Sequence, residues 1–166
     1  MKSVKFKASF DKKTMIISSL VGALFIGQTV FFLVFSNLNS TLTAVIAISL
    51  WLIFVLCYGF HPAGYECTEA AIIIKTPFRS IVYPKAEMDK IRRAGDEEMV
   101  SSIRTFGVGG LFGYYGKFYN RHLGHMTWYA SQGKNWVILL TKNGKNIVLT
   151  PDNPQQFIET LQGSLS

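Results

Sequence analysis

The chain has 166 residues, 49% of them apolar and 16% charged, with a net charge of +7. That is enough for one compact domain plus an additional apolar segment. The charges are unevenly placed: none falls between Thr14 and Phe60, and so long an uncharged stretch excludes an ordinary soluble fold there and reads as lipid against water.

Residues 1–14 read as a basic cytoplasmic arm, in which Lys2, Lys5, Lys7, Lys12 and Lys13 outweigh Asp11. The apolar run 15–35 follows. As a helix it rises about 30 Å, the thickness of a hydrocarbon core. A second run of similar length covers 41–60, and a Ser-Asn-Leu-Asn-Ser turn at 36–40 joins them. So short a connection makes the helices antiparallel neighbours. Residues 15–60 are therefore expected to be a transmembrane helical hairpin, its backbone groups satisfied within each helix. A cleaved signal peptide fits less well, because the first run is long and no small-x-small cleavage site follows it.

Lysine placement sets the orientation. The 36–40 turn carries no charge, whereas the arm and Lys75, Arg79 and Lys85 are basic. The positive-inside rule then places both termini in the cytoplasm, as in a multi-pass protein of the inner (cytoplasmic) membrane, with Tyr58, Phe60 and His61 at the interface. Ser19, Ala23 and Gly27 form a small-residue stripe that serves either close packing on the second helix or a dimer face. Gln28 is a lone polar group, expected to bond across the hairpin.

Residues 61–166 change to short β-type runs. Strands are expected at Tyr65–Thr68, Ala71–Thr76, Ser80–Tyr83, Met88–Arg93, Met126–Ser131, Trp136–Lys142 and Asn146–Thr150. Asn143-Gly144 between two apolar runs signals a hairpin whose two turn residues both take positive φ. Pro151-Asp152-Asn153-Pro154 caps a final helix in which Phe157, Ile158 and Leu161 share a face, and Gly163 ends it. Cys57 and Cys67 are expected to be unpaired, one in an apolar run and the other in a strand. Arg92 and Arg93, ahead of Asp96, Glu97 and Glu98, read as a solvated strand end and turn.

The segment Phe106–Gly124 holds six glycines and six aromatic rings among basic residues. Its plain reading is a Gly-aromatic β-hairpin with bulges. Its functional reading is an aromatic, basic surface touching lipid headgroups or a partner protein, through Arg104, Phe112, Tyr114, Tyr115, Lys117, Phe118, Tyr119 and Arg121. From Met99 to Pro151 there is no acidic residue, so this half of the domain is drawn toward an anionic leaflet.

Two stretches carry a family resemblance. They are GVGGLFGYYGKFYNRHLGHMTWYAS, with Gly113, Tyr114, Gly116, Phe118, Leu123, Gly124 and Tyr129, and WVILLTKNGKNIVLTPDNPQQFIETL, with Gly144, Pro151, Asp152, Pro154 and Phe157. With the upstream GYECTEAAIIIKTPFRSIVYP, they resemble the membrane-anchored bacterial PH-domain (pleckstrin-homology-like) proteins over Pro62–Leu161. The resemblance implies two packed antiparallel sheets, or a partly open barrel, closed by a C-terminal helix. It brings no catalytic residue and no ligand.

Other chemistry finds little footing. His122 and His125 are spaced for a shared metal on a helix, but the sequence around them is not helical and offers no carboxylate or cysteine. GVGGLFG lacks the strand–loop–helix setting and the Lys-Ser/Thr ending of a phosphate loop. Adjacent Glu97 and Glu98 are no acid–base pair, and no nucleophile–base–orienter set is visible. Nucleic acid is excluded as a partner by the membrane tether and by a soluble part with only a small excess of basic residues. The expectation is a membrane-anchored, non-enzymatic PH-like binding or scaffold module without cofactor or metal. Its partners are the bilayer, anionic headgroups or a membrane protein; the alternative is a structural subunit of a homo- or hetero-oligomer.

Overall fold

The computed structural model describes residues 3–35 and 40–163, the side chains of residues 35 and 40 aside. Helices α1 (Lys12–Phe35) and α2 (Ser40–Phe60) form where the apolar runs predict. Both are long and apolar enough to cross a membrane. The expected turn at 36–40 lies outside the described residues except for Ser40, which opens α2.

The helices meet through rings. Phe25 packs on Trp51 and Phe54 with centroids 6.1 and 5.6 Å apart, and Trp51 Nε1 donates to Thr29 Oγ1 at 3.0 Å. Among the described residues this Trp51–Thr29 bond is the polar link across the pair, and Gln28 makes none. The small-residue stripe does not pack on α2: Ser19, Ala23 and Gly27 are exposed. Bulky Phe25, Trp51 and Phe54 fill the contact face, so the small residues are left on the far side.

The basic arm belongs to the domain. Val4–Lys7 forms β1, which pairs antiparallel with β2 (Gly64–Cys67), Lys7 opposite Gly64. Adjacent strands thus lead into α1 and out of α2, and the helix pair grows from one edge of a sheet. That sheet continues through β3 (Ala71–Lys75) to β4 (Ser80–Pro84), giving the order β1-β2-β3-β4.

A second sheet holds β5 (Met88–Arg93), β6 (Ile103–Gly109), β7 (Tyr114–Asn120), β8 (Gly124–Ala130), β9 (Val137–Thr141) and β10 (Asn146–Leu149), in the order β5-β9-β10-β8-β7-β6. One pair departs from the antiparallel expectation: β10 runs parallel to β8. The chain leaves β8, skips one strand position to lay down β9, and the β9–β10 hairpin then fills the gap. In that hairpin Gly144 has φ +71° while Asn143 is not in the positive-φ region. Gly144 N–H donates to Thr141 O at 2.8 Å. The turn is therefore a longer loop closed by one left-handed glycine, not the two-residue form.

Two apolar cores lie on either side of the second sheet. Between the sheets, Phe6, Tyr65, Ile72, Ile74, Leu139, Ile147 and Leu149 pack under Phe157 and Leu161 of α4 (Pro154–Gln162). Helix α4 is capped as expected, Asn153 Oδ1 accepting from Gln156 N–H at 3.2 Å with Pro154 in the first turn. The Tyr65 hydroxyl, fully buried, donates to Tyr129 O at 2.6 Å and accepts from Thr150 N–H at 3.1 Å, which ties the sheets together. On the other face, Phe118, Met126, Trp128, Trp136, Ile138 and Val148 pack with Met99 of the short helix α3 (Asp96–Val100). A turn was expected at α3. A bidentate Arg92–Glu98 ion pair holds it as a helix against β5, with Nη1 to Oε2 at 2.8 Å. Cys57 and Cys67 are both free.

Candidate functional site

The Gly-aromatic segment folds as the β6–β7 hairpin. Its strands carry a register irregularity between Arg104 and Phe106, and Gly110 N–H donates to Gly113 O at 2.8 Å across the tip. Glycines at 110 and 113, with φ of +112° and +117°, bend the tip sharply. The bend puts Phe112 itself in the left-handed region, φ +55°. Its N–H donates to Ser18 Oγ at 2.9 Å, and its ring meets Phe54 at 5.0 Å and Tyr58 at 5.3 Å. Ser18 and Phe54 each lie six residues inside their helices, so the tip reaches about 9 Å along the pair.

The eight predicted residues divide into three groups. Phe112 and Tyr115 grip the helices, Tyr115 through its hydroxyl to Cys57 O at 2.5 Å. That phenol is pushed well above its ordinary pKa by burial, and so remains a donor. Phe118 is core, stacked on Trp128 at 4.0 Å and nearly parallel. Arg104, Lys117, Tyr119 and Arg121 are exposed, and Tyr114 is half-buried. Lys117 donates to Thr127 Oγ1 at 2.8 Å, and Tyr119 lies 5.2 Å from the His125 ring. The segment is thus divided: its tip packs on the helices and its strands expose their basic side chains. His122 and His125 are both exposed, and among the described residues no group of three His, Cys, Asp or Glu side chains is placed to hold a metal.

A second turn holds the same end of α2. Phe78 N–H, in the β3–β4 turn, donates to Gly59 O at 3.0 Å. A Cβ at Gly59 would lie 2.0 Å from the Phe78 ring, so glycine is what lets that ring sit there. Arg79 lies over the Phe60 ring at 5.0 Å. His61, 6% exposed, is enclosed by Phe10, Tyr58 and Phe112. Burial lowers its pKa, so it is neutral at pH 7.

The start of α1 is sewn to the domain by two carboxylates whose roles sequence reading missed. Asp11 caps the helix, accepting from Thr14 N–H at 2.7 Å, and also accepts from Gly133 N–H at 2.8 Å. Asp152 accepts from Ser9 N–H at 2.9 Å and Ser9 Oγ at 2.6 Å. An Asp three residues ahead of Thr14 at the edge of an apolar run was a readable cap signal. Partial burial raises the Asp11 pKa, but the Thr14 and Gly133 N–H groups outweigh it and hold the carboxyl below its ordinary 3.8. A depressed folded-state pKa gives stability that is present above the ordinary value and lost as pH falls through the folded one. Asp11→Ala is therefore expected to cost about 1 kcal/mol at neutral pH. It should also flatten the loss of stability below pH 3.8, as read by thermal unfolding in detergent across that range.

Two adjoining grooves lie beside the start of α1. One, of about 650 Å³, is lined by Lys12, Lys13, Lys134, Asn135, Asp11 and Asp152 among others. The other, of about 560 Å³, runs along the outer face of β6–β8 and shares Lys13, Tyr114 and Gly133 with the first. Among the described residues no carboxylate forms a salt bridge with Lys12, Lys13, Arg104 or Lys134. The bacterial PH domain family model matches residues 63–165, so β1 and both helices fall outside the match. Neither the curated proteins nor the solved structures give a match. With that match covering most of the chain and the two-sheet, helix-capped architecture beneath it, the chain belongs to the bacterial PH domain family.

Proposed function

We propose that this protein is a membrane-anchored PH-like module that binds or scaffolds at the cytoplasmic surface of the inner membrane, without catalysis. Residues 15–60 span the bilayer, and the domain hangs from them on the side of both termini. The observation that carries this reading is the double grip on the helix ends. The Phe112 tip and the Phe78 turn hold the domain against α1 and α2, which supports a domain kept close to the membrane that these helices would cross. An enclosed domain of this family, with Arg104, Lys117, Tyr119 and Arg121 exposed, supports binding rather than chemistry.

Topology reporters test it. A fluorescent protein fused at the C-terminus is expected to be bright, and alkaline phosphatase at the same place inactive. A cysteine placed among residues 36–40 should be labelled from the outside of intact spheroplasts. An active C-terminal phosphatase would overturn the orientation, and a protein found in the soluble fraction would overturn the anchor.

A second reading, a structural subunit of a homo- or hetero-oligomer, is favoured by two features. The Ser19–Ala23–Gly27 stripe faces away from α2, and edge strand β6 exposes Ile103 and Phe106 at 69% and 77%. Small-residue stripes let helices approach closely, and open strand edges pair readily. Native mass spectrometry in detergent decides this, a strict monomer speaking against it.

A further inference from the structure

We propose that the free edge of β6 is the docking site for a protein partner, which adds an extended, acidic segment to the six-stranded second sheet as a further strand. The inference rests on the binding reading above and names the chemistry of the partner. Strand β6 ends the order β5-β9-β10-β8-β7-β6, and among the described residues β7 is the one strand it pairs with. Alternate N–H and C=O groups along its other side therefore point outward with no ladder partner.

The side chains at this edge are arranged to receive a strand. Residues opposite each other across a ladder share a face. The bulge at Thr105 sets Ile103 opposite Tyr119 and Phe106 opposite Lys117, so Ile103 and Phe106 lie on one face although an odd number of positions separates them. Along that face Lys117 pairs with Thr127, and Thr127 with Ile147. Ile147 is buried in the core between the sheets. The same face runs on past that cover and is open at β6, where Ile103 and Phe106 are largely exposed. The hairpin tip that rests on the helices is at the other end of the strand. From Gly110 back to Ile103 the chain runs about 23 Å, which sets these apolar side chains apart from the part of the helices that the tip grips.

Charge selects the partner. Lys117, Arg121 and Lys145 are exposed, as is Arg104 on the opposite face of β6. Among the described residues no carboxylate forms a salt bridge with any of them. A groove of about 450 Å³ beside Phe106 has Lys117 and Lys145 in its wall and no Asp or Glu. Pairing β6 with the β6 of a second copy would set these cations against their own kind, and like charges facing across a ladder destabilise it. Arg104 and the bulge also discourage indiscriminate pairing. A strand with apolar residues beside Ile103 and Phe106, and carboxylates beside Arg104, satisfies both faces and the free backbone groups together.

The test follows amide exchange by mass spectrometry in the full chain, held in phosphatidylcholine nanodiscs. The probe is a short peptide of alternating valine and glutamate. At about ten times its half-saturating concentration it is expected to slow the faster-exchanging amides of 103–109 about tenfold, and to leave β9 and β10 unchanged. Phe106→Thr removes the ring and keeps a strand-forming residue; it should raise the half-saturating concentration about tenfold. Arg104→Gln with Lys117→Gln should raise it about fivefold. Both are surface changes, and an unshifted thermal transition shows the fold intact. A peptide effect unchanged in both variants overturns the surface. Equal slowing by a valine–lysine peptide overturns the acidic chemistry, and equal slowing by the valine–glutamate peptide N-methylated throughout overturns strand addition. Protection that needs no peptide and grows with protein concentration overturns the assignment in favour of a second copy. No slowing at all overturns the site and leaves the membrane reading standing, because the topology reporters decide that reading independently.

Discussion

Gly116→Ala is expected to cost about 4 kcal/mol or more, enough to strip the β6–β7 hairpin from the sheet. Gly116 faces Gly107 across the two strands, with φ of +129° and +113°. A Cβ on Gly116 would lie 2.3 Å from Phe106 O and 2.8 Å from Gly107 Cα; one on Gly107 would meet Tyr115 O at 2.3 Å. These neighbours are backbone, so no side chain can swing aside. Two costs add: a positive φ that an L side chain resists, and a clash that only separating the strands relieves. Two controls divide them. Gly124→Ala keeps a positive φ, +69°, but meets nothing within 4 Å, so about 1–2 kcal/mol of strain is all it should lose. Gly95→Ala has neither problem, being extended at φ −79° and open, and should be near neutral. Apparent melting temperatures in detergent should rank Gly95→Ala, Gly124→Ala and Gly116→Ala in falling order. A Gly116→Ala protein that melts with Gly124→Ala would show that the strands part without cost.

The same glycines show what was legible in the sequence. Both helices follow from missing charges, and most strands from β-branched runs, because each is a local pattern with its own period. Strand β1 carries the right alternation, Val4 and Phe6 inward against Lys5 and Lys7, with Phe6 7% exposed. It is only four residues long, and its partner lies beyond both helices, so local pattern reads it as a charged arm. The parallel β8–β10 pair is equally invisible, since strand order is decided by a crossover and not by any residue in the strands. The eight residues expected to form a contact surface are sorted by strand direction. Successive side chains on β7 point to opposite faces. Thus Phe118 enters the core while Lys117 and Tyr119 on either side of it are exposed. Composition marks such a segment as unusual; only the register says which ring goes where. Trp128 and Arg104 were separated in the same way, one an ordinary strand residue and the other a surface cation, until the sheet set them around one groove.

Phe112→Ala should leave the domain folded and loosen it from the helices. The ring is only partly buried and contacts Phe54, Tyr58 and His61, not the apolar core between the sheets. Removing it should take about 2–4 kcal/mol from the docking of the tip, toward the low end of the cost of truncating a buried phenylalanine. The two sheets keep their own contacts, and β1 pairing with β2 still joins the roots of α1 and α2. Spin labels on α2 and on β7 should therefore give one sharp distance in the parent protein and a broad distribution in the variant, while the thermal transition of the domain moves little. Amide exchange should rise at the Phe112 and Tyr115 positions and stay slow in β9 and β10. Phe112→Gly separates the ring from the backbone, because it removes the left-handed strain at φ +55° along with the side chain. If Phe112→Gly loosens the domain as far as Phe112→Ala does, the grip lies in the ring. If Phe112→Gly stays docked, the Phe112 N–H to Ser18 and the Tyr115 hydroxyl to Cys57 O are sufficient, and the aromatic contacts are dispensable for docking.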